Sequence, residues 1–257
     1  MNSNLTCLSH WFPILHRAGL PMPATTIIPL SDGDIEDLMR TAMENEGAPP
    51  PKGDGFARLV ASVKSAADAM GYPAFMRSGY FSGKHDWNLA CYLADSSKIA
   101  KQIKHIVYFG ELMNMMGMPI GCWVVREFLK PAAGDVAFYS KHFSEMPVRR
   151  EFRCFVSGAE VVCVHPYWPA HALDADIETG VGSESAISEI GEPGEHLAAI
   201  KDLASRAGAA LGGEWSIDVL STDRGWFITD CAVASNSFHW EGCDNAERFR
   251  TPVRACV

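Results

Sequence analysis

The sequence lacks any long run of uncharged apolar residues and carries no excess of positive charge. A membrane-spanning helix needs roughly 18 to 20 consecutive apolar residues, and no stretch approaches that length. The 22 basic side chains are outnumbered by 31 acidic ones, for a formal net charge of -9. Such a charge disfavours broad attraction to nucleic acid or anionic lipid, although it permits a local basic cleft. We therefore expect neither a membrane nor a nucleic-acid partner.

The cysteines form no CxxC pair. All eight are scattered, and some lie inside apolar runs such as residues 152–156. This spacing predicts buried free thiols in a reducing compartment, with disulfides or a metal site as the alternatives. Residues 1–21 also lack the basic segment and apolar run of a secretory signal. We expect a cytoplasmic protein.

The patterning of the chain indicates an α+β fold with mainly antiparallel strands. Residues 47–53, which are rich in proline and glycine, predict an exposed loop, and the polar residues 170–195 predict a surface loop. Predicted helices begin at Ser31–Asp32 and cover about 56–67, 98 to near Gly117, and 195–210. Predicted strands cover 74–77, 122–129, 151–156, 160–165, 215–220 and 226–231, with turns at 157–158 and 222–225.

A glycine- and serine-containing loop follows the strand that ends at Arg77. Its backbone N–H groups could approach an anion, and Lys84 directly after it could reach a phosphate. The loop does not have the spacing of a Walker loop, because Gly79 and Gly83 are too close together and His85 follows the lysine. An ordinary loop with a solvated lysine is the alternative.

Two further clusters place charge next to apolar strand residues. Arg126 and Glu127 directly follow the apolar residues 122–125, where ionisable groups are seldom buried without partners. The alternative is a strand end that reaches solvent. In residues 151–156, alternation places Glu151 and Arg153 on one face, where arginine suits two-point contacts to phosphate or carboxylate. A cross-strand salt bridge is the alternative there.

Each strand of the last predicted hairpin carries one aspartate inside an apolar run. Asp218 and Asp230 repel each other if neither is paired, and a hard divalent cation would resolve that conflict. A single internal aspartate is often structural, but two in one hairpin favour a metal site. A salt bridge to an arginine is the alternative.

Taken in order, these segments resemble the ATP-grasp superfamily over roughly residues 73–240. Residues 73–84 are similar to the strand and loop that carry the family's phosphate-contacting basic residues, and residues 124–129 to its hinge strand. Residues 16–25 resemble the lead-in before the nucleotide lobe. The likeness is greatest to phage and bacterial ATP-grasp proteins of unknown substrate. Residues 151–156 also resemble the ATP-grasp chaperone that assembles a eukaryotic translation initiation factor.

The resemblance implies an ATP-grasp fold, in which two α+β lobes grip ATP between them beside a small N-terminal region. It divides the chain into an N-terminal region (1–70), a small lobe with the hinge (71–130) and a large lobe with the metal site (131–257). The cofactors that it implies are ATP and Mg²⁺.

The resemblance also implies a role for each candidate residue. Glu127 would hold the ribose, and Arg153 would face the transferring group as a catalytic residue together with Lys84. The family's usual asparagine, two residues after its second acid, is replaced here by Ala232, so Asn236 is the candidate third ligand. The implied cofactor-binding residues are Arg77, Lys84, Arg126, Glu127, Phe128 and Leu129, and the implied metal ligands are Asp218, Asp230 and Asn236.

The activity that the resemblance implies is that of an ATP-dependent ligase. A substrate carboxylate would attack the γ-phosphate to form an acylphosphate, from which an amine or thiol displaces phosphate. A non-catalytic ATP-binding assembly factor is the alternative from another class, and nucleotidyl transfer ranks last. Residues 1–70 and 166–193 would select the unidentified substrates. The side chains that would line an acceptor pocket, or else pack, are Tyr167, Trp168, His171, His239 and Trp240.

Overall fold

The computed structural model describes residues 5–43, 54–115 and 120–249. These residues form two compact units. The described part of the first unit lies within residues 23–129 and 140–146, and that of the second within 5–22, 130–139 and 147–249. The three-part division at residues 70 and 130 stays a prediction.

Helices and strands are numbered along the chain. The α-helices are α1 (Leu8–Arg17), α2 (Asp32–Met43), α3 (Gly55–Met70), α4 (Ile99–Met115), α5 (Asp174–Glu178), α6 (Glu184–Gly191) and α7 (Leu197–Leu211). The strands are β1 (Thr25–Pro29), β2 (Ala74–Ser78), β3 (Tyr92–Leu93), β4 (Cys122–Glu127), β5 (Val136–Ser140), β6 (Met146–Arg149), β7 (Glu151–Ser157), β8 (Glu160–Pro166), β9 (Glu214–Thr222) and β10 (Gly225–Val233). All pairs in the two four-stranded sheets are antiparallel, which confirms the α+β prediction. Nowhere in the described ranges does a helix have the length and apolar composition that crossing a membrane requires.

The first unit is a four-stranded sheet, in the order β1-β4-β2-β3, that shares one core with α2, α3 and α4. Trp123 and Val125 of β4 are fully buried in that core with Val63 of α3 and Ile103 of α4. Burial of each such side chain contributes about 1.5–3 kcal/mol, so one face of the sheet is fixed by apolar packing.

The start of α2 is fixed by a reciprocal cap. The Ser31 N–H donates to a carboxylate oxygen of Asp34 at 3.0 Å, and the Asp34 N–H donates to the Ser31 hydroxyl at 3.2 Å. Asp34 also forms an ion pair with Arg58 of α3. The hydrogen bonds from Ser31 and Arg58 lower the pKa of Asp34 to about 2. The predicted helix start at Ser31–Asp32 is therefore confirmed.

The second unit is a four-stranded sheet in the order β10-β9-β7-β8, with α7 packed on one face. Gly208 of α7 comes very close to the turn that joins β7 to β8. A Cβ atom there would lie 2.1 Å from the Gly158 carbonyl oxygen and 2.8 Å from Cγ2 of Val156. Gly158 has a φ of 54°, as the predicted hairpin turn requires. The hairpin is confirmed, and only glycine fits at position 208.

Helix α1 belongs to the second unit, although it lies far from the rest of that unit in sequence. It packs against α7 and β10. Its apolar residues Leu8, Trp11 and Leu15 are fully buried. Just after the helix, the Ile228 N–H donates to the Pro21 carbonyl at 2.9 Å. An N-terminal segment therefore completes the unit that otherwise holds the C-terminal strands.

The prediction of a surface loop over residues 170–195 is wrong. This stretch contains a 3-10 turn at Ala170–Leu173 and the helices α5 and α6. The Ser183 hydroxyl caps α6 by accepting from the Ala186 N–H at 3.2 Å, and Ile190 is buried. A good N-cap and one apolar anchor are enough to make a short helix from a polar segment. The predicted loop at 47–53 and the predicted end of α4 near Gly117 lie outside the described residues.

Strand β4 ends at Glu127, two residues before the predicted end, while β9 and β10 are longer than predicted. The thiol prediction is confirmed for the cysteines that are free and buried, which are Cys7, Cys91, Cys122, Cys154 and Cys231. Cys163 and Cys243 are free and partly buried. Cys256 lies outside the described ranges.

Candidate functional site

Two arginines lie on the face of the first sheet opposite its helices. Successive strand residues point to opposite faces, so Arg77 and Arg126 point away from the core that holds Met76 and Val125. Both arginines are nearly inaccessible, at 2% and 3% exposed. The first sheet therefore carries two buried guanidinium groups on one face.

Each arginine is held by a hydrogen bond from its Nε. The Arg77 Nε donates to the Ser78 carbonyl at 3.0 Å, and the Arg126 Nε donates to the Thr25 hydroxyl at 3.1 Å. Thr25 is the register partner of Arg126 across β1 and β4. Strand β1, which the sequence did not predict, thus fixes the position of a predicted phosphate-contacting residue.

The end of β4 holds the remaining hinge residues. A carboxylate oxygen of Glu127 accepts from the Ala24 N–H at 2.8 Å, while the Glu127 N–H donates to the Ala24 carbonyl at 2.9 Å. Phe128 makes edge contacts with Trp87 and Tyr92, and Leu129 is buried. The hinge is therefore closely packed, and its predicted contacts with ribose and adenine stay predictions.

The glycine loop after β2 is held by its own hydrogen bonds. The Ser78 hydroxyl accepts from the Phe81 N–H at 3.1 Å, and the Gly79 N–H donates to the Cys122 carbonyl at 2.8 Å. Gly83 adopts a left-handed φ of 68° and leads into a short 3-10 turn that begins at Lys84. The loop presents Lys84, partly buried, at a fixed position. Its contact with phosphate stays a prediction.

Charged residues from all four strands form one row across the second sheet. Asp230 of β10 is the register partner of Asp218 of β9, which is opposite Arg153 of β7, which in turn is opposite His165 of β8. Register partners in antiparallel strands present their side chains on the same face. The fold therefore brings together three of the predicted residues, Arg153, Asp218 and Asp230.

Arg153 and Asp218 form a buried ion pair with two hydrogen bonds. The arginine donates from Nε at 2.8 Å and from a terminal nitrogen at 2.9 Å to the two carboxylate oxygens. Burial raises the pKa of Asp218, and the guanidinium opposes that shift. Although burial alone would lower it, the carboxylate raises the pKa of Arg153. The salt bridge left open by the sequence is therefore present.

The other members of this site have separate contacts. A carboxylate oxygen of Asp230 accepts from the Cys231 N–H at 3.0 Å. Asn236 lies beyond β10 in a 3-10 turn, where its amide donates to the Thr6 hydroxyl at 3.4 Å. Asn236 is therefore outside the charged row, and the ligand roles of Asp218, Asp230 and Asn236 stay predictions.

The sequence did not assign the partners that surround Arg153. The guanidinium lies over the Tyr167 ring, 4.9 Å from its centroid. Buried Glu151, two residues before Arg153 on the same face, accepts from the Thr229 hydroxyl at 3.1 Å. Alternation in β7 could have placed Glu151 beside Arg153, but Tyr167 follows the end of β8 and needed the sheet order to be known.

A motif associated with nucleotidyl transfer falls at the start of α3. Residues 52–55 read Lys-Gly-Asp-Gly, which has the KxDG form. Lys52 lies outside the described residues. The Asp54 carbonyl accepts from the Arg58 N–H at 2.8 Å, and a Cβ at Gly55 would lie 3.1 Å from a carboxylate oxygen of Asp37. The described half of the motif is therefore a close-packed helix start.

Comparison with known proteins gives one family and a set of structural relatives. Residues 47–248 match the model of an ATP-grasp domain family, the third family of its clade. The structure of C-terminally truncated Cdc123 from Schizosaccharomyces pombe matches with a TM-score of 0.54 at 12% identity, over 90% of this chain and 84% of that one. The ATP-grasp protein with a RimK domain from Sphaerobacter thermophilus DSM 20745 gives 0.45 at 16% identity. That match covers 89% of this chain and 59% of the other, so this chain spans less than two thirds of its length.

Comparison with curated proteins gives no match. At these low identities, the likeness to solved structures concerns the fold alone.

Proposed function

Because the chain belongs to this family of ATP-grasp domains, we propose that it is an ATP- and Mg²⁺-dependent ligase. The ligase would activate a carboxylate as an acylphosphate and join it to an amine or thiol. The observation that carries this proposal is the charged row of the second sheet, which aligns two carboxylates and an arginine on one face.

The donor set of this row fits a hard divalent cation. Magnesium prefers anionic oxygen ligands and is commonly held by one or two carboxylates. Asp218 and Asp230, on adjacent strands, would supply them, with Asn236 as the proposed third ligand. When bound, the cation would neutralise charge on the phosphates. The ion pair implies a competition, because Asp218 would have to exchange its bonds with Arg153 for a metal bond.

The basic residues of the first unit would bind the nucleotide. Arg77 and Arg126 share one sheet face and are held by their Nε atoms, and Lys84 follows a hydrogen-bonded loop. Phosphoryl transfer depends mainly on positioning and on charge neutralisation, which suits fixed cations. Glu127 would hold the ribose, and Phe128 and Leu129 would hold the adenine.

Arg153 would serve the transferring group. A guanidinium offers several donors in a fixed plane, so it can orient a phosphoryl or carboxylate oxygen while Tyr167 restricts its movement. Arg153 would stabilise negative charge as it moves from the γ-phosphate to the acyl group, and Lys84 would do the same from the first unit. The later displacement by an amine or thiol releases phosphate.

The first experiment measures the melting temperature with Mg-ATP, with ATP and EDTA, and with Mg-GTP. A ligand that binds only the folded state at about 100 times its dissociation constant stabilises it by about 2.7 kcal/mol. We expect a clear rise with Mg-ATP, less with GTP and less without magnesium. If millimolar Mg-ATP leaves the melting temperature unchanged, the proposal is wrong.

The second experiment tests turnover with hydroxylamine, a small nucleophile that converts acylphosphates into hydroxamates. Mg-ATP, hydroxylamine and a panel of amino acids and dipeptides are incubated with the protein, and ADP and hydroxamate are measured together. Equal amounts of the two products, dependent on one carboxylate of the panel, identify a ligase. Arg153→Lys keeps the charge and loses the two-point geometry, so it should slow this reaction.

A non-catalytic ATP-binding assembly factor is the second candidate. It is favoured by the ion pair itself, since Arg153 already engages both oxygens of the central carboxylate. This candidate predicts a Mg-ATP shift in melting temperature with no ADP formed for any carboxylate and nucleophile tested. Residues 1–70 and 166–193 stay the proposed region of substrate or partner selection.

A further inference from the structure

A cluster of two thiols and two imidazoles lies in the second unit, apart from the predicted magnesium ligands. The potential ligand atoms of its four residues all lie within 4.8 Å of one another, and each residue is partly buried. We call it the Cys2His2 cluster, and its members are Cys163, His165, His239 and Cys243.

The fold builds this cluster from two segments that are distant in sequence. Cys163 and His165 are two residues apart on the edge strand β8, so they point to the same face, beside their partners Phe155 and Arg153. The chain beyond β10 returns over that face. His239 stacks on the Phe155 ring with the centroids 3.9 Å apart. Aromatic packing thus fixes the second pair of residues over the first.

The residues between His239 and Cys243 hold the geometry further. Trp240 stacks on the His165 ring, with the centroids 4.8 Å apart and the planes 11° apart. The Cys243 N–H donates to the Trp240 carbonyl at 3.3 Å, which closes a turn that brings the second thiol back towards the strand. All of these contacts lie within one unit of the fold.

The distances suit a tetrahedral metal ion. Zinc binds thiolate sulfur at about 2.3 Å and imidazole nitrogen at about 2.0–2.1 Å, so the ligand atoms of such a site are about 3.4–3.8 Å apart. The Cys163 sulfur and the His239 Nε2 are 3.4 Å apart. Small rotations about side-chain bonds would bring the other pairs, at up to 4.8 Å, into that range.

One buried nitrogen also indicates a missing ligand. The Nε2 atom of His165 is inaccessible to solvent and has no hydrogen-bond partner among the described residues. Leaving a buried polar atom unsatisfied costs about 1–3 kcal/mol, which a metal bond would remove. Packing alone explains why the rings stack, but it does not explain why two thiols and two imidazoles converge on one point.

We propose that this chain carries a structural zinc site with four protein ligands: Cys163, His165, His239 and Cys243. Two thiolates and two imidazoles form a closed coordination shell, as in structural rather than catalytic zinc sites. Sulfur and nitrogen ligands select zinc over magnesium, so the site is chemically distinct from the oxygen ligands of Asp218 and Asp230. Zinc would tie the edge strand β8 to the segment after β10.

The sequence pattern of the site is Cys-x-His in one segment and His-x3-Cys in the other. The second segment begins 74 positions after the first ends, since 239 minus 165 is 74. Neither half contains the CxxC pair by which zinc sites are usually recognised. Binding converts both thiols to thiolates and releases protons.

The test is metal analysis of the whole chain, purified without an affinity tag that binds metal. We expect one zinc per chain, and a fall in melting temperature when a strong chelator removes it. Replacement by cobalt should give the visible bands of a tetrahedral ion and thiolate charge-transfer absorption in the near ultraviolet. Cys163→Ser and Cys243→Ser should each weaken zinc binding by at least about tenfold, since even outer partners of zinc ligands are worth that much.

The matched controls are Cys231→Ala and His171→Ala, which remove a thiol and an imidazole of the same unit outside the cluster. Both should keep one zinc per chain. The proposal is overturned if the wild-type protein binds no stoichiometric zinc, even after zinc is added. It is equally overturned if the serine variants and the controls bind zinc alike. If one serine variant does not fold, the cobalt spectrum of the wild type and the other variant decide the matter.

Discussion

Arg153 and Asp218 are joined by two parallel hydrogen bonds across β7 and β9, so the central carboxylate of the charged row already has a cation beside it. An aspartate 3% exposed would be costly without such a partner. The pair therefore contributes to the stability of the unliganded sheet. It also sets the difference between the two proposed metal ligands, because Asp230 is held differently.

Replacing the two aspartates should separate stability from metal binding. Asp218→Asn leaves buried Arg153 without its counter-charge and should lower the free energy of unfolding by about 3 kcal/mol. Asp230→Asn keeps an oxygen that can accept from the Cys231 N–H, so its stability should change by no more than about 0.5 kcal/mol. Urea unfolding without ligand measures both.

Both aspartate variants should lose the magnesium-dependent part of ATP affinity, measured by calorimetry with and without EDTA, because a hard cation needs anionic ligands. Normal Mg-ATP binding by both variants would show that the metal assignment is wrong. Equal losses of stability would show that Asp230 has a structural role similar to that of Asp218.

Lys84→Ala should weaken Mg-ATP binding by at least about tenfold, equivalent to about 1.4 kcal/mol. Its unliganded melting temperature should stay close to that of the wild type, because the loop before it is held by main-chain and Ser78 hydrogen bonds. Lys98→Ala, at an exposed lysine of the same unit, is the control and should bind ATP normally. A large loss of unliganded stability in Lys84→Ala would instead assign the lysine to packing.

The Asp34 cap should make the first unit sensitive to acid. Its pKa is about 2 in the folded state, against 3.8 ordinarily, so between these values the unfolded chain binds more protons. The stability that Asp34 contributes is fully present above that window and is lost as the pH falls through it. The difference in urea midpoint between wild type and Asp34→Asn should therefore shrink below about pH 4. A Ser31→Ala background should make that difference smaller at neutral pH, and a difference independent of pH would contradict the assignment.

Gly208→Ala should destabilise the second unit. The added methyl group would collide with the Gly158 carbonyl, which is main chain and cannot rotate away, so α7 would have to shift. Overpacking of this kind costs about 1–3 kcal/mol, whereas Ala209→Ser, on the exposed side of the same helix, should stay within about 0.5 kcal/mol. Denaturant unfolding compares the two, and equal stabilities would mean that the helix can move without cost.

Local patterns predicted the elements whose signals are local. The cap at Ser31 and Asp34 marked α2, and alternation with a short turn marked the hairpins β7–β8 and β9–β10. Strand β1 was missed because prolines flank it and its partner β4 lies about a hundred residues further on. A five-residue strand has too little periodicity of its own to be recognised without that partner.

The site was predictable in composition but not in pairing. The sequence singled out Arg153, Asp218 and Asp230, and it left open whether the arginine binds a ligand or a carboxylate. That choice depends on β9 lying beside β7, which no local pattern contains. The Cys2His2 cluster was missed for the same reason, since its two halves meet only when the segment after β10 crosses the edge strand.

The position of α1 has a consequence for the order of events during synthesis. This helix is made early, but the surfaces of α7 and β10 that cover Leu8, Trp11 and Leu15 are made about 180 to 220 residues later. At ribosomal rates of about 5–20 residues per second, the helix waits for roughly 10 to 40 s with its apolar stripe uncovered. During that time the stripe is a target for chaperones, and the second unit can finish folding only after its last strands have left the ribosome.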